Sequence, residues 1–310
     1  MSGDFERSAG PAYRDDMTSA PAIAPVLTSP IVSTQWLADH LGDGLVVLDA
    51  SVLSITLPSG AWAYLSGHEQ YLIEGHLPGA IFADLIDELS DPEGSYAFTR
   101  PDADRFETAI GELGIDNETT VIVYDSGVGQ WAARLWWLFR AFGYDRVAVL
   151  DGGLTKWRAE GRALETGHVP AEPALFEARE RAELWVDKDF IAGVLRGDHD
   201  AALVCAAPAK EFSGEVVTRV RAGHIPGSTS TPVVRLVDRE NRAYLSHDEL
   251  RNAFAPALGS PRIVTYCGGG IAAASAALAL TLLGETSVAV YDGSLHEWAA
   301  DPTLPLVTTA

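Results

Sequence analysis

Short runs of consecutive apolar residues alternate along this chain with longer, helix-like segments rich in alanine, leucine and aromatic residues. Leu45–Asp49, Val121–Asp125 and Arg262–Tyr266 belong to the first kind and read as buried strands. The segments Trp131–Phe142 and Ile271–Leu283 belong to the second and read as helices. Ser246-His247-Asp248-Glu249 has the form of a capping box opening another helix, and Pro101-Asp102-Ala103-Asp104 opens a counterpart earlier in the chain. Strands alternating with helices predict an α/β fold with mainly parallel sheets flanked by helices.

The pattern occurs twice. Gly75-His76-Leu77-Pro78-Gly79-Ala80 returns as Gly223-His224-Ile225-Pro226-Gly227-Ser228. The strand ending at Asp125 returns as the strand leading to Cys267, and Asp151-Gly152-Gly153-Leu154-Thr155-Lys156-Trp157 returns as Asp292-Gly293-Ser294-Leu295-His296-Glu297-Trp298. The offsets are 148, 142 and 141 residues, a period the size of a domain. The chain therefore divides into a tail over 1–26, a first domain over 27–164, a linker over 165–184 and a second domain over 185–310. The linker reading rests on Pro170, Pro173 and the lack of periodicity around them.

Composition narrows the function. At 310 residues and 47% hydrophobic, the chain can build two cores. Gly268–Gly284, the longest nearly apolar stretch, is too short and too rich in small residues for a membrane span. The first 24 residues hold Asp4, Glu6, Asp15 and Asp16 without the apolar core of a signal peptide. A net charge of −21 argues against nucleic acid and acidic membranes as partners, and requires local groups to attract any anionic substrate. Two cysteines make no disulfide framework, which fits a reducing cytoplasm. The eight histidines show no metal-ligand spacing, so neither metal nor cofactor is expected.

The candidate chemistry lies at Cys267-Gly268-Gly269-Gly270-Ile271-Ala272, where a strand ends and a helix begins. Glycines let successive amides turn inward as an anion-binding nest, and the helix N-terminus adds further N–H groups. A thiol held there favours its nucleophilic thiolate.

The paired Gly-His-x-Pro-Gly and Asp-Gly-(Gly/Ser)-x-x-x-Trp motifs, with a loop cysteine only in the second half, resemble the tandem-domain rhodaneses. These are the thiosulfate and 3-mercaptopyruvate sulfurtransferases, and the resemblance covers nearly everything after the tail. It implies two tandem rhodanese-like domains and sulfur transfer through a persulfide on Cys267, cradled by the amides of residues 268–272. The donor and acceptor would be small molecules, with cyanide or a thiol accepting. A protein thiol as acceptor and a non-catalytic binding module are the alternatives. Asp125 stands at the cysteine position of the first half, which marks that half as inactive.

Gly268 after the cysteine resembles the mercaptopyruvate branch, although Gly269 stands where that branch has serine. The resemblance further implies a substrate-binding arginine, which Arg219 or Arg221 could supply because Glu211 occupies the usual slot of another. It also makes His76 a candidate proton shuttle facing Cys267 across the domains. Cys205 reads as a buried structural thiol, and Trp131 as a candidate for the cleft wall. A rhodanese-type phosphatase would need a longer loop closed by arginine, and none follows Cys267 here.

Overall fold

The computed structural model describes residues 25–56 and 62–309. The tail expected over 1–26 thus lies, apart from its last two residues, outside the described residues.

The first half runs β1 (Ile31–Val32), α1 (Thr34–His40), β2 (Leu45–Asp49), β3 (Val52–Thr56), β4 (Trp62–Ser66), α2 (His68–Glu74), β5 (Ile81–Phe82), α3 (Ala103–Glu112), β6 (Thr120–Tyr124), α4 (Gln130–Ala141), β7 (Val147–Leu150) and α5 (Gly153–Ala159). The second runs β8 (Trp185–Val186), α6 (Lys188–Arg196), β9 (Ala202–Cys205), α7 (Ala209–Ser213), β10 (Thr229–Ser230), α8 (His247–Phe254), β11 (Ile263–Tyr266), α9 (Ile271–Leu282), β12 (Val288–Tyr291) and α10 (Ser294–Ala300). Each half forms a five-stranded parallel sheet, ordered β1-β7-β6-β2-β5 in the first and β8-β12-β11-β9-β10 in the second. Corresponding strands thus hold corresponding places. The antiparallel hairpin β3–β4 departs from this match, since only one short loop separates β9 from α7.

The central strands explain their own burial. All five residues of β6 and all four of β11 are buried, so they must be apolar on both faces. Helix α4 is buried from Trp131 to Phe139, and α9 from Ala273 to Leu280. A helix apolar on nearly every face belongs in an interior, and these two, with Arg134 the charged exception on α4, pack on each other across the junction of the halves. One apolar core consequently runs from Leu48, Phe106 and Trp136 into Val204, Tyr266 and Leu295. Each such buried side chain contributes about 1.5–3 kcal/mol of transfer free energy.

Two polar contacts cross that junction in matching places. Asp151 Oδ1 accepts from the Tyr244 amide at 2.7 Å, and Asp292 Oδ2 accepts from the Arg100 amide at 2.9 Å. The symmetry ends at the helices. Arg134 of α4 forms a buried ion pair with Asp292 at 2.6 Å and donates to the Phe98 carbonyl at 2.8 Å. On the other side, Ser275 of α9 shares a hydrogen bond with the Tyr244 hydroxyl at 2.8 Å.

The segment between the halves lacks helix and strand over most of its length but is anchored. Phe176 is buried among Phe106, Phe139 and Tyr144, and the Arg179 and Arg181 amides donate to the Phe142 and Ala141 carbonyls.

Candidate active site

The register of the second sheet sets the position of the cysteine. Tyr266, the last residue of β11, pairs with Cys205 at the end of β9, so Cys267 is the first residue past the carboxyl edge of the central strand. Sites of α/β folds form at this edge. Cys267 is 3% exposed. Gly270 then adopts φ +80° as the N-cap of α9, and a Cβ there would meet Asp292 Oδ1 at 2.9 Å. Glycine answers both the left-handed backbone and the close approach.

Ser294 ties the loop into its curl. Its Oγ accepts from the Cys267 and Gly270 amides, each at 3.1 Å, and donates to the Tyr291 carbonyl at 2.7 Å. The Leu295 and His296 amides at the start of α10 donate to the Cys267 and Gly268 carbonyls. The Cys267 and Gly268 carbonyls are thereby engaged from outside the loop. Ser294 has φ +48°, an uncommon conformation for a residue with a Cβ, held by these three bonds.

The first half carries out the same construction with a different residue. Asp125 Oδ1 accepts from the Gly127 and Gly129 amides at 2.8 and 3.0 Å, and Oδ2 accepts from the Trp131 and Ala132 amides at 2.9 and 3.0 Å. The carboxylate thus occupies a nest of four N–H groups. Burial pushes the Asp125 carboxyl above its usual range, and the four amides oppose that shift. An anion-accepting loop is a property of this strand–loop–helix unit, and the second half presents it to a thiol.

Two side chains pack against the cysteine loop, and a third lies within its electrostatic field. The Arg219 guanidinium packs directly on Gly268, where any Cβ would collide with its Nη2. Its Nη1 pairs with Glu211 Oε2 at 2.8 Å, while its buried Nε meets no acceptor among the described residues. Glu211 therefore does not displace the arginine; it orients it. His296 places its Nδ1 3.1 Å from the point a Cβ on Gly269 would occupy. Its imidazole is held below the usual 6.5, first by desolvation and then by the Arg219 charge, with Glu211 acting in the opposite sense. Tyr64, on β4 of the first half, stacks edgewise on Phe98 and Trp131. Burial raises its phenol, the Cys267 charge adds to the rise and Arg219 counters it, which places Tyr64 within the field of the site. Trp131 itself is buried beneath this tyrosine rather than lining the opening.

Two expectations are corrected. Arg221 spends its guanidinium on the backbone carbonyls of Ala299, Leu304, Trp298 and Asp301, at 2.9, 2.7, 3.0 and 2.5 Å, and so fastens the C-terminal segment instead of binding substrate. His76 is fully buried, its Nδ1 2.9 Å from the Leu77 carbonyl and its Nε2 3.1 Å from the Gly167 carbonyl, and its ring stacks on Tyr71. Both nitrogens are engaged within the first half and the segment after it, so His76 is a brace rather than a proton shuttle. His224 has the matching role, stacked on Phe212 with Nδ1 2.8 Å from that residue's carbonyl.

Sequence reasoning assigned no function to Ser294, Arg134, His296 or Tyr64. Ser294 and His296 lie in the repeated Asp-Gly motif, where the pairing of Gly153 with Ser294 was a visible signal that this copy differed. Nothing local marks Arg134 or Tyr64, whose partners lie in the other half of the chain.

Comparison with known proteins bears on this arrangement. The family model described as "Rhodanese-like domain" matches residues 33–160 and again 171–301. The chain is similar to thiosulfate/3-mercaptopyruvate sulfurtransferase 2 of Arabidopsis thaliana, 35% identical over 92% of this chain and 88% of that one. It is similar also to 3-mercaptopyruvate sulfurtransferase of Escherichia coli strain K12, 34% identical over 90% and 98% of the two chains. Among solved structures, SseA from Escherichia coli matches with a TM-score of 0.75 and 34% identity, covering 86% of this chain and 99% of that one.

Proposed function

The chain belongs to the rhodanese family of sulfurtransferases, and from that premise we propose that Cys267 takes the sulfur of 3-mercaptopyruvate in preference to that of thiosulfate. The observation that carries the donor choice is Arg219. Its Nη1 is committed to Glu211, its Nε is buried without an acceptor, and Nη2 lies against Gly268 beside the cysteine. The Nε–Nη2 edge of a guanidinium matches a planar carboxylate in two parallel hydrogen bonds. A second arginine is not needed for that contact.

In the first step the Cys267 thiolate attacks the donor's thiol sulfur. An S–S bond forms, the C–S bond breaks, and its electron pair departs on the pyruvate enolate, which takes up one proton. Loop amides of the kind that hold Asp125 stabilise charge on the terminal sulfur. In the second step a cyanide or thiolate acceptor attacks that sulfur, and the S–S electrons return to Cys267 as thiolate. Val217 and Val220, 59% and 79% exposed on either side of Arg219, leave an apolar rim that a protein-borne thiol could also approach. Two unpaired cysteines, one of them the nucleophile, suit a reducing cytoplasm. Among the described residues no helix is long and apolar enough to cross a membrane.

Intact-mass measurement after cyanide stripping tests the reading. Mercaptopyruvate should add one sulfur atom faster than thiosulfate does, and Cys267→Ser should abolish the gain from both. A faster gain from thiosulfate overturns the donor choice, and sulfur retained by Cys267→Ser overturns the nucleophile.

A further inference from the structure

Mercaptopyruvate imposes a demand that thiosulfate does not. Breaking its C–S bond leaves an enolate that must be protonated, whereas thiosulfate releases sulfite with the electron pair resting on sulfur. The loop itself offers no side chain for proton transfer, since Gly268, Gly269 and Gly270 follow the cysteine. The space beside Gly269 is filled from elsewhere. The His296 ring lies there, with Nδ1 and Cε1 at 3.1 and 3.5 Å from the position of a Cβ on that glycine. The placement is fixed by the backbone, because the His296 amide donates to the Gly268 carbonyl at 2.9 Å.

Resting on the mercaptopyruvate reading above, we propose that His296 is the acid–base residue of the donor half-reaction, standing in space where a loop side chain at position 269 would otherwise act. The imidazole takes the proton of the Cys267 thiol as the thiolate forms. After S–S bond formation and C–S cleavage, the imidazolium returns that proton to the enolate carbon, giving pyruvate and neutral imidazole. Three features suit the ring to this cycle. It is exposed on the outer side of the site, so its proton can exchange with water. It is shifted below the usual histidine range, first by desolvation and then by Arg219, a direction that favours the neutral, proton-accepting form. The charged groups acting on it are Arg219 and Glu211, which are paired with each other at 2.8 Å.

The test is single-turnover persulfidation of the full chain by each donor, followed by mass, in wild type, His296→Ala and His296→Gln. General acid–base catalysis contributes at least about 100-fold, so the mercaptopyruvate rate should fall by about that factor in both variants. The thiosulfate rate should fall far less, and the ratio of the two rates should drop at least about tenfold. Gly269→Ser in the His296→Ala background, where the crowding ring is gone, should recover part of the mercaptopyruvate rate. Equal losses with both donors, or a fully active His296→Gln, would overturn the role. Wild type that gains sulfur only from thiosulfate would overturn it together with the donor choice, whereas a normal wild type with unaffected variants would overturn His296 alone.

Discussion

Replacing Asp292 with alanine removes three acceptor contacts at once: the Arg134 guanidinium at 2.6 Å, the Arg100 amide at 2.9 Å and the Tyr96 hydroxyl at 3.3 Å. Arg134 is 2% exposed and retains only the Phe98 carbonyl, so its charge is left buried without a counterion. Breaking such a pair costs about 3–5 kcal/mol, most of it desolvation of the surviving charge. Arg134→Met should cost less, roughly 2 kcal/mol, because Asp292 keeps the Arg100 amide and the Tyr96 hydroxyl. The double variant leaves no orphaned charge, and its loss should fall short of the sum of the singles by about 2 kcal/mol. Urea unfolding followed by tryptophan fluorescence is a suitable assay, since the Arg134 guanidinium lies 5.2 Å from the Trp185 ring centre and emission there reports the junction. The comparison requires similar slopes in all four proteins. Additivity within about 0.5 kcal/mol would refute the claim that this ion pair couples the halves.

Three further outcomes follow from the structure. Arg219→Ala should raise the mercaptopyruvate KM at least about tenfold through loss of a charged hydrogen-bonding partner. Arg221→Ala should instead lower the unfolding midpoint and leave KM near wild type, and a KM effect of equal size would return Arg221 to the substrate site. Burial pushes the Cys205 thiol up to about 12 from 9.0, so its folded-state pKa is raised. The contribution is complete below pH 9 and is lost as pH rises towards 12, at about 1.4 kcal/mol per pH unit. Cys205→Ala should flatten the stability–pH profile over that interval against the common background of buried tyrosines, and superimposable profiles would contradict the assignment.

Much of the architecture was legible because buried parallel strands and predominantly apolar helices leave a signature in adjacent residues. β6, β11, α4 and α9 are defined by what they bury, and duplication of the motifs exposed the pairing of the halves. The cysteine loop was legible for a related reason: glycine beside a strand end and a helix start is a local statement. Long-range side-chain choices were not. Arg221 and Arg219 are two residues apart, in a bent, irregular segment that turns them to different surroundings, and only tertiary structure separates a C-terminal clasp from a substrate contact. His76 was misjudged because a buried histidine that braces a turn and one that moves protons share the same motif. Tyr64 went unnoticed because it rides on the β3–β4 hairpin, an element with no copy in the second half to call attention to it.

The carboxylate of Asp125 has a consequence for how a duplicated enzyme can change. With Asp125 where the second half has Cys267, the four amides around that position require an acceptor. Alanine would strand all four N–H groups, and asparagine would turn its own donor toward two of them. Few residues therefore fit, and the position is narrowed by its own backbone. A position without a thiol is still held to an acceptor by the amides that surround it, so its backbone leaves it little room to drift.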